Sequence, residues 1–291
     1  MSSDLSKIEY IDIHSHLQFE GYGEERKNIL ERMRENKVAT ICIGADLKES
    51  EAGKVLAEEN ENIFYAIGLH PYDNLSEFGF AFDSQKDYFQ KLKNLNGEKC
   101  VAIGECGLDY FYIHKKFKDG EISEGELQEE ISKQKEIFRR HIELALELDL
   151  PLMLHVRPSE IDGNKEDAYL EVVEILKEYK NVRGDFHFFV STKKVLEKIL
   201  KELPNFNISI PAVCTFTNEY DEVIKNIPLD KIHIETDSPF VLPKNKRGKA
   251  KQNEPTFVIE VFDKICEIRN IENKEEFKEI LKQNFKRMFL K

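Results

Sequence analysis

Histidines and carboxylates, the side chains that bind divalent metals, recur in this sequence at the ends of short apolar segments. They are His14, His16, His70, Glu105, His155, His187 and Asp237. Imidazole and carboxylate groups suit Zn²⁺, Mn²⁺, Co²⁺ or Ni²⁺ better than Ca²⁺. Apart from His70, these are four histidines and two carboxylates, and six ligands are too many for one tetrahedral ion but match two ions about 3.5 to 4 Å apart. The sequence therefore predicts a binuclear site.

The position of Glu105 makes it the candidate for a carboxylate that bridges the two ions, because its strand is central in the order of the segments. Two bound ions would lower the pKa of a water molecule, which favours hydrolysis, and with a phosphate ester as substrate they would also neutralise charge on the phosphoryl group. Arg157 follows His155 by two residues and would contact a phosphoryl oxygen of such a substrate. Since no P-loop sequence is present, work driven by nucleotide hydrolysis is not expected.

Eight apolar segments rich in β-branched residues must position these side chains, and helical patterns separate them. The segments cover residues 8–14, 38–44, 62–70, 100–105, 151–155, 182–187, 205–210 and 231–237. Between two of them, Ile131, Phe138, Ile142 and Ala145 recur at the spacing of a helix with one buried face. Strand and helix therefore alternate eight times.

This alternation predicts a single (β/α)8 TIM barrel domain that spans residues 1–291, because barrel strands are buried on both sides and read as continuous apolar runs. A doubly wound open sheet is less favoured, since the turn after the first strand is His-Ser-His rather than Gly-rich. In a barrel, the carboxyl ends of all strands open on one face, so the metal-type residues should converge there. Alternation along the strands predicts two inward-facing sets, which are Asp12, His14 and His16, and His233, Glu235 and Asp237.

Composition and net charge exclude several classes of protein. The chain has 43 basic and 55 acidic residues and a net charge of −12, which excludes a basic nucleic-acid coat. No apolar run reaches the roughly 18 residues of a membrane span, and the first residues lack the apolar core of a signal peptide. The five cysteines include no C-x-x-C pair. We expect a cytoplasmic protein with reduced, interior cysteines, no membrane contact and no obligate protein partner.

Three further histidines and two charged segments lie outside the set of predicted metal ligands. His114, His141 and His233 are expected to be ordinary core or surface histidines. The acidic segment Tyr112–Ile131 is predicted to be a solvated loop insertion. The basic segment after Asp237, which contains Lys244, Lys246 and Arg247, is either a solvated loop or a guide for phosphate groups at the same mouth.

Six motifs together resemble the TatD family of metal-dependent deoxyribonucleases. They are IDIHSHL (11–17), GLHPYD (68–73), GECGLDYFY (104–112), LDLPLMLHVR (148–157), ETDSPFVLP (235–243) and QNEPTFV (252–258). The resemblance extends over essentially the whole chain. GECGLDY and ETDSP are its specific parts, since His-x-His is shared with other barrel hydrolases.

The resemblance implies a barrel enzyme that hydrolyses phosphodiester bonds in DNA, commonly from an end, with two divalent ions per chain. The ions would be drawn from zinc, manganese, cobalt, nickel and magnesium, and DNA ends or short oligonucleotides would be the substrate. By resemblance, His14, His16 and Asp237 bind one ion, His155 and His187 bind the other, and Glu105 bridges them. Asp237 would also take the proton of the attacking water, and His70 would face the substrate.

Two other functions stay open. The first is a metal-dependent barrel hydrolase of a small lactone, amide or phosphotriester, which only substrate trials separate from a nuclease. The second is a metal-containing binding protein without catalysis. Replacing Glu105 with Ala would abolish hydrolysis in an enzyme and leave binding largely intact in such a protein.

Overall fold

Eight parallel strands form the centre of the fold, and each strand pairs with its neighbours in sequence order. The computed structural model describes residues 5–72 and 82–290, and only the backbone of residues 82–86. The strands are β1 (Tyr10–Ser15), β2 (Val38–Ile43), β3 (Ile63–Ile67), β4 (Cys100–Asp109), β5 (Leu152–Arg157), β6 (Gly184–Phe186), β7 (Phe206–Ile210) and β8 (Ile232–Ile234). Each of the eight predicted segments overlaps one of them, so the predicted (β/α)8 barrel is confirmed.

Helices surround the strands. Those of the described residues are α1 (Glu25–Glu35), α2 (Leu47–Glu59), α3 (Phe82–Asn94), α4 (Phe111–Lys118), α5 (Glu124–Leu148), α6 (Asp167–Lys177), α7 (Lys193–Glu202), α8 (Asp221–Asn226), α9 (Val258–Arg269) and α10 (Lys274–Phe289). None of these helices has the length and apolar character needed to cross a bilayer. All five cysteines are buried and form no disulfide, as expected.

The predicted solvated loop over Tyr112–Ile131 is wrong, because α4 and the start of α5 cover most of it. Ser123 begins α5 with a capping box, in which its hydroxyl accepts from the Glu126 amide while the Glu126 carboxylate accepts from the Ser123 amide. Ile113 and Leu127 are buried. The charged residues of this segment therefore belong to solvated helix faces.

The ring of strands closes between β1 and the residues that follow β8. The Asp237 amide donates to the His14 carbonyl at 2.9 Å, and the His16 amide donates to the Ser238 carbonyl at 2.7 Å. The backbone bonds that complete the barrel are thus made by predicted ligands and their immediate neighbour.

Apolar side chains fill the barrel interior below its carboxyl end. Ile11, Ile13, Ile41, Phe64 and Met153 belong to one buried cluster there. Phe285 and Phe289 of α10 join this cluster. A second, larger cluster lies between the outer faces of the strands and the helices. These layers hold the strands in place, so the polar side chains at the carboxyl end stand on a rigid support.

β-bulges interrupt the strands that carry His14 and Glu105, and β4 has a further register shift near its start, against β3. From Asp12 to Ser15, β1 advances by three residues while its partner β2 advances by two. From Ile103 to Cys106, β4 likewise advances by three residues while β5 advances by two. A bulge adds one residue to a strand and turns the following side chain to the other face. The two bulges therefore turn the side chains of His14 and Glu105 toward the barrel interior.

The bulge in β1 makes the predicted inward position of Asp12 wrong. Asp12 pairs in register with Thr40, on the face opposite Ile11 and Ile13. Its carboxylate accepts from the amide and the hydroxyl of Thr236 at 2.8 and 2.7 Å. Asp12 thus holds the segment before Asp237 from outside the barrel, whereas His14 points inward.

Candidate metal centre

All six residues predicted as ligands meet at the carboxyl end of the barrel, with Glu105 in the middle. Glu105 Oε2 lies 3.1 Å from His187 Nε2, 3.5 Å from His155 Nδ1 and 3.6 Å from His14 Nε2. Its other oxygen, Oε1, lies 3.9 Å from His16 Nε2. One carboxylate therefore reaches all four imidazoles.

Asp237 completes one side of this arrangement. Its Oδ1 lies 3.5 Å from Nε2 of both His14 and His16. The side chain is 15% exposed, against 6% for that of Glu105. Around Glu105, the other five groups thus divide into His14, His16 and Asp237 on one side and His155 and His187 on the other. We call these the β1 half-site and the β5 half-site.

Each histidine of the β5 half-site has one ring nitrogen near a buried carboxylate and the other near Glu105. His155 Nε2 lies 3.0 Å from Asp109 Oδ2, and His187 Nδ1 lies 3.7 Å from Glu235 Oε1. A carboxylate on one nitrogen orients the ring and makes the other nitrogen a better metal ligand. Asp109 and Glu235 therefore orient His155 and His187 from the side of each ring that faces away from Glu105.

His16 in the β1 half-site is oriented by the backbone instead. Its Nδ1 lies 3.2 Å from the Ile43 carbonyl, to which it donates, so Nε2 faces Asp237 and Glu105 with its lone pair. This carbonyl also accepts from the Gln18 amide group at 2.6 Å. The end of β2, which carries no predicted ligand, thus fixes the orientation of one.

The roles of Asp109 and Glu235 in orienting His155 and His187 were not predicted from the sequence. Glu235 also accepts from the Phe188 amide and the Ser209 hydroxyl, both at 2.6 Å, so it ties β6, β7 and β8 together beneath His187. Alternation along the last strand had placed Glu235 on the inward side, which was the available signal. Asp109 lies within the GLDY motif, but its contact with His155 depends on the register between β4 and β5.

His14 provides a test of whether the centre suits a metal. This residue is fully buried, and neither ring nitrogen has a hydrogen-bond partner among the described residues. Burying an unsatisfied polar group costs about 1 to 3 kcal/mol. An ion bound between His14, Glu105 and Asp237 would satisfy Nε2, so the residues present fit a divalent metal.

The pKa shifts of His14 and Glu105 favour the protonation states that a metal requires, whereas at His155 the carboxylates of Asp109 and Glu105 outweigh burial and raise the pKa to about 9. Burial lowers the pKa of His14 well below its usual range, and the neighbouring His187 lowers it further. Burial alone would raise the pKa of Glu105, but His70, His155 and His187 outweigh it and hold the pKa well below its usual range. A neutral imidazole therefore faces an ionised carboxylate.

His70, predicted to face the substrate, lies beside the β5 half-site. Its ring packs edge-on against His155, with 4.4 Å between centroids, and its Nδ1 accepts from the Tyr72 amide at 3.2 Å. Burial lowers the pKa of His70 to about 4, so the ring is neutral near pH 7. His70, Asp109 and His155 also bring ligand-type atoms within 4.8 Å of one another.

The basic segment after Asp237 folds partly against its surroundings. Lys246 pairs with Glu260 of α9 at 2.9 Å. The Arg247 guanidinium stacks on the Phe216 ring at 3.9 Å. Lys244 is exposed. Of the three predicted guides, Lys244 is the one that the structure leaves extended into solvent.

The three histidines expected to be ordinary lie away from the six ligands and bond within the fold. His141 Nδ1 donates to the Ile137 carbonyl at 2.8 Å, and its Nε2 accepts from the Leu69 amide at 3.1 Å. His233 Nδ1 lies 2.5 Å from an Asp185 carboxylate oxygen, deep in the barrel. His114 Nδ1 lies 2.8 Å from the Tyr110 carbonyl.

A (β/α)8 barrel with imidazoles and carboxylates at the carboxyl end of its strands has the architecture of a metal-dependent hydrolase. Residues 11–290 match the family model described as TatD related DNase. The chain belongs to the TatD family of metal-dependent hydrolases, which confirms the resemblance found in its motifs.

Relatives and solved structures agree with this membership. The chain is 36% identical over 284 residues to the uncharacterized metal-dependent hydrolase YabD of Bacillus subtilis, covering 96% of this chain and 98% of YabD. It is 30% identical over 271 residues to a putative deoxyribonuclease TATDN1 homolog of Vairimorpha ceranae, covering 90% and 88%. The crystal structure of YjjV, a TatD homolog of Escherichia coli, has the same fold, with a TM-score of 0.77, 23% identity and coverage of 97% and 98%.

Proposed function

We propose that the protein hydrolyses phosphodiester bonds in DNA, working from a strand end, with two divalent ions. The observation that carries this proposal is the position of Glu105 between two pairs of histidines, with Asp237 Oδ1 at 3.5 Å from both histidines of one pair. The family description and the name of the TATDN1 homolog support DNA as the substrate.

The β1 half-site would hold one ion through His14, His16 and Asp237, and the β5 half-site the other through His155 and His187. Glu105 would bind both. When bound, the ions supply a more acidic water molecule and neutralise charge on the phosphoryl oxygens. Zinc, manganese, cobalt, nickel and magnesium are the candidates, because the ligands are imidazole nitrogens and carboxylate oxygens.

Asp237 is the proposed proton acceptor. Its carboxylate is the more exposed of the two in the centre, so an attacking water molecule can approach it from the mouth of the barrel. Its Oδ1 lies 3.5 Å from both His14 and His16, while Glu105 is turned toward all four histidines. This geometry supports different roles for the two carboxylates, because Glu105 lies among four histidines whereas Asp237 is accessible from the mouth of the barrel.

Substrate binding is assigned to Arg157, His70 and the basic segment. Arg157 ends β5 two residues after His155, and its guanidinium can donate two hydrogen bonds to a phosphoryl group. His70, neutral and beside His155, can donate one more. Lys244, together with Lys246 and Arg247, would attract the phosphates of a strand that extends beyond the centre.

The test removes metal with a chelator, restores one metal at a time, and supplies end-labelled single-stranded DNA, duplex DNA and a panel of lactones. The proposal predicts metal-dependent ladders of products shortened from one end. Replacing Glu105 with Gln should lower kcat on DNA by at least about a hundredfold, whereas Glu121→Gln at an exposed position of the α4–α5 connection should not. Turnover of a lactone without turnover of DNA would refute the proposal in favour of the small-substrate hydrolase.

A further inference from the structure

A group of stacked aromatic rings and cations lies on the mouth of the barrel beside the β5 half-site. We call it the α4 platform, and it consists of Tyr72, Phe111, Tyr112, Lys116 and Arg157. The Tyr72 and Tyr112 rings stack with 4.5 Å between centroids. The Arg157 guanidinium lies 3.9 Å from the Phe111 centroid and 4.9 Å from that of Tyr112, and Lys116 Nζ lies 5.2 Å from the Tyr72 centroid.

The platform is attached to the metal centre through one carboxylate. Asp109 Oδ1 accepts from the Phe111 amide at 3.0 Å and from the Tyr112 amide at 3.5 Å, which fixes the start of α4. The other oxygen of Asp109 contacts His155 at 3.0 Å. Arg157 reaches the platform from the same strand as His155. The rings are therefore held at a fixed position relative to the β5 half-site.

The platform is open to solvent at Tyr112. Tyr112 is 37% exposed, which is unusual for a large side chain already stacked on another ring. Across the residues that the structure describes, no carboxylate pairs with the Arg157 guanidinium. A flat ligand that carries negative charge would cover the Tyr112 ring and meet both cations.

The charges of the platform contrast with those of the whole chain, whose net charge is −12. Lys116 and Arg157 project from an aromatic surface, and α4 also carries Lys115 and Lys118. Aromatic rings interleaved with cations bind single-stranded nucleic acid, because bases stack on the rings while the cations contact phosphates. A base paired within a duplex has its faces covered and cannot stack in this way.

We infer that the α4 platform is a nucleotide-binding subsite, in which an unpaired base stacks on Tyr112 while Arg157 and Lys116 contact the flanking phosphates. The inference rests on the proposed function, since it places the strand that the metal centre would cut. It adds a binding surface outside the six ligands, and it gives Tyr72, Phe111 and Tyr112 a role that the predicted site residues did not include.

The chain contains no tryptophan, so a single substitution provides a reporter. In Tyr112→Trp protein kept in chelator, where no cleavage interferes, an oligothymidylate of about ten nucleotides should quench the emission with saturation. Phe117→Trp is the matched control, because Phe117 is 38% exposed on the same helix but lies about 140° around its axis from Tyr112. Its emission should not show saturable quenching.

Affinity measurements complete the test. Tyr112→Ala should weaken binding of the oligothymidylate at least about fivefold, while Tyr112→Phe, which keeps the ring, should stay within about twofold of the unaltered protein. Absence of quenching in the Tyr112→Trp protein, or equal affinity in Tyr112→Ala, would overturn the inference. So would equal quenching by polyglutamate, because that would mean that charge alone is recognised.

The outcomes also separate the subsite from the proposed function. Binding at Tyr112 by a protein that hydrolyses no DNA with any metal would refute the proposed function and retain the subsite. Hydrolysis of DNA with unchanged affinity in Tyr112→Ala would refute the subsite and retain the proposed function.

Discussion

Asp109 illustrates how a single buried side chain can serve two parts of the molecule. One of its oxygens contacts the metal-ligand candidate His155, and the other accepts from backbone amides at the start of α4. Gln134 of α5 holds the Asp109 backbone in turn, through bonds of 2.9 Å to its amide and its carbonyl. The position of His155 thus depends, through Asp109, on Gln134 of the outer helix α5.

Replacing Asp109 with Asn should weaken metal binding about tenfold to a hundredfold. The amide oxygen can still accept from Phe111 and Tyr112, but the amide nitrogen would donate to His155 Nε2 and move the ring proton to the nitrogen that faces Glu105. Competition with a chromophoric chelator measures the affinity, and thermal unfolding of the metal-free protein should change little. Unaltered metal affinity would contradict the role assigned to Asp109.

The convergence of the six predicted ligands could be predicted from sequence because each lies at the end of an apolar run, and parallel strands of a barrel end on one face. Asp12 shows the limit of that reasoning. Alternation predicted that it faces inward with His14, but an extra residue in β1 reverses the pattern. Such a bulge depends on contacts with β2, which lie outside any local window of sequence.

At the scale of elements, the segment that carries Asp237 depends on a distant asparagine. Asn253 is fully buried, and its side-chain amide donates to the carbonyls of Thr236, Phe240 and Val241 at 2.9, 2.7 and 3.1 Å. The motif that contains Asn253 was recognised from sequence by resemblance, but its three partners were not predictable. They become neighbours only when the chain after β8 turns back on itself.

Replacing Asn253 with Ala should lower the free energy of unfolding by about 1 to 3 kcal/mol, because buried carbonyls lose their donor. Metal affinity should fall as well, since Asp237 lies in the segment that loosens. Urea unfolding and metal titration measure the two effects. Asn36→Ala, at an exposed position with one bond to a carbonyl, should change stability by less than about 0.5 kcal/mol, and a similar result for Asn253→Ala would contradict this account.

His141 links α5 to the end of β3 and predicts a pH dependence. Burial lowers its pKa to about 4, so the folded state requires the neutral ring, while the unfolded chain binds a proton near pH 6.5. A depressed pKa for a base gives stability that is present above about pH 6.5 and lost as pH falls toward 4, by about 2 kcal/mol at pH 5.

Replacing His141 with Gln removes this titration while keeping a donor and an acceptor. The variant should therefore lose less unfolding free energy than the unaltered protein between pH 7 and pH 5, by about 2 kcal/mol. Urea unfolding at the two pH values gives the comparison. Equal pH dependence in both proteins would show that His141 is not protonated on unfolding.

At the scale of the whole molecule, the metal centre joins strands that are far apart in sequence. Its residues come from β1, β4 and β5 and from the segments that follow β6 and β8. The alternation of strands and helices predicted this closed ring, but not that α4 and the first residues of α5 replace the expected loop. The capping box at Ser123 was visible in the sequence, and the acidic composition of the segment concealed its helical pattern.

Divalent metal should stabilise the whole barrel, because an ion that binds only the folded state adds about 2.7 kcal/mol at a hundred times its Kd. For a chain of this size, that corresponds to an increase in Tm of about 4 to 5 °C. Differential scanning calorimetry with chelator and with each restored metal measures it. The increase should be smaller in Glu105→Gln, and an equal Tm with and without metal would argue against the centre.

The seam between His14 and Asp237 has a consequence for synthesis. One pair of predicted ligands, His14 and His16, leaves the ribosome more than 220 positions before its carboxylate partner. A nascent polypeptide that lacks the final portion could fold several βα units without ever completing the β1 half-site. Activity should consequently arise late and abruptly, so prematurely terminated products would be inert instead of partially competent.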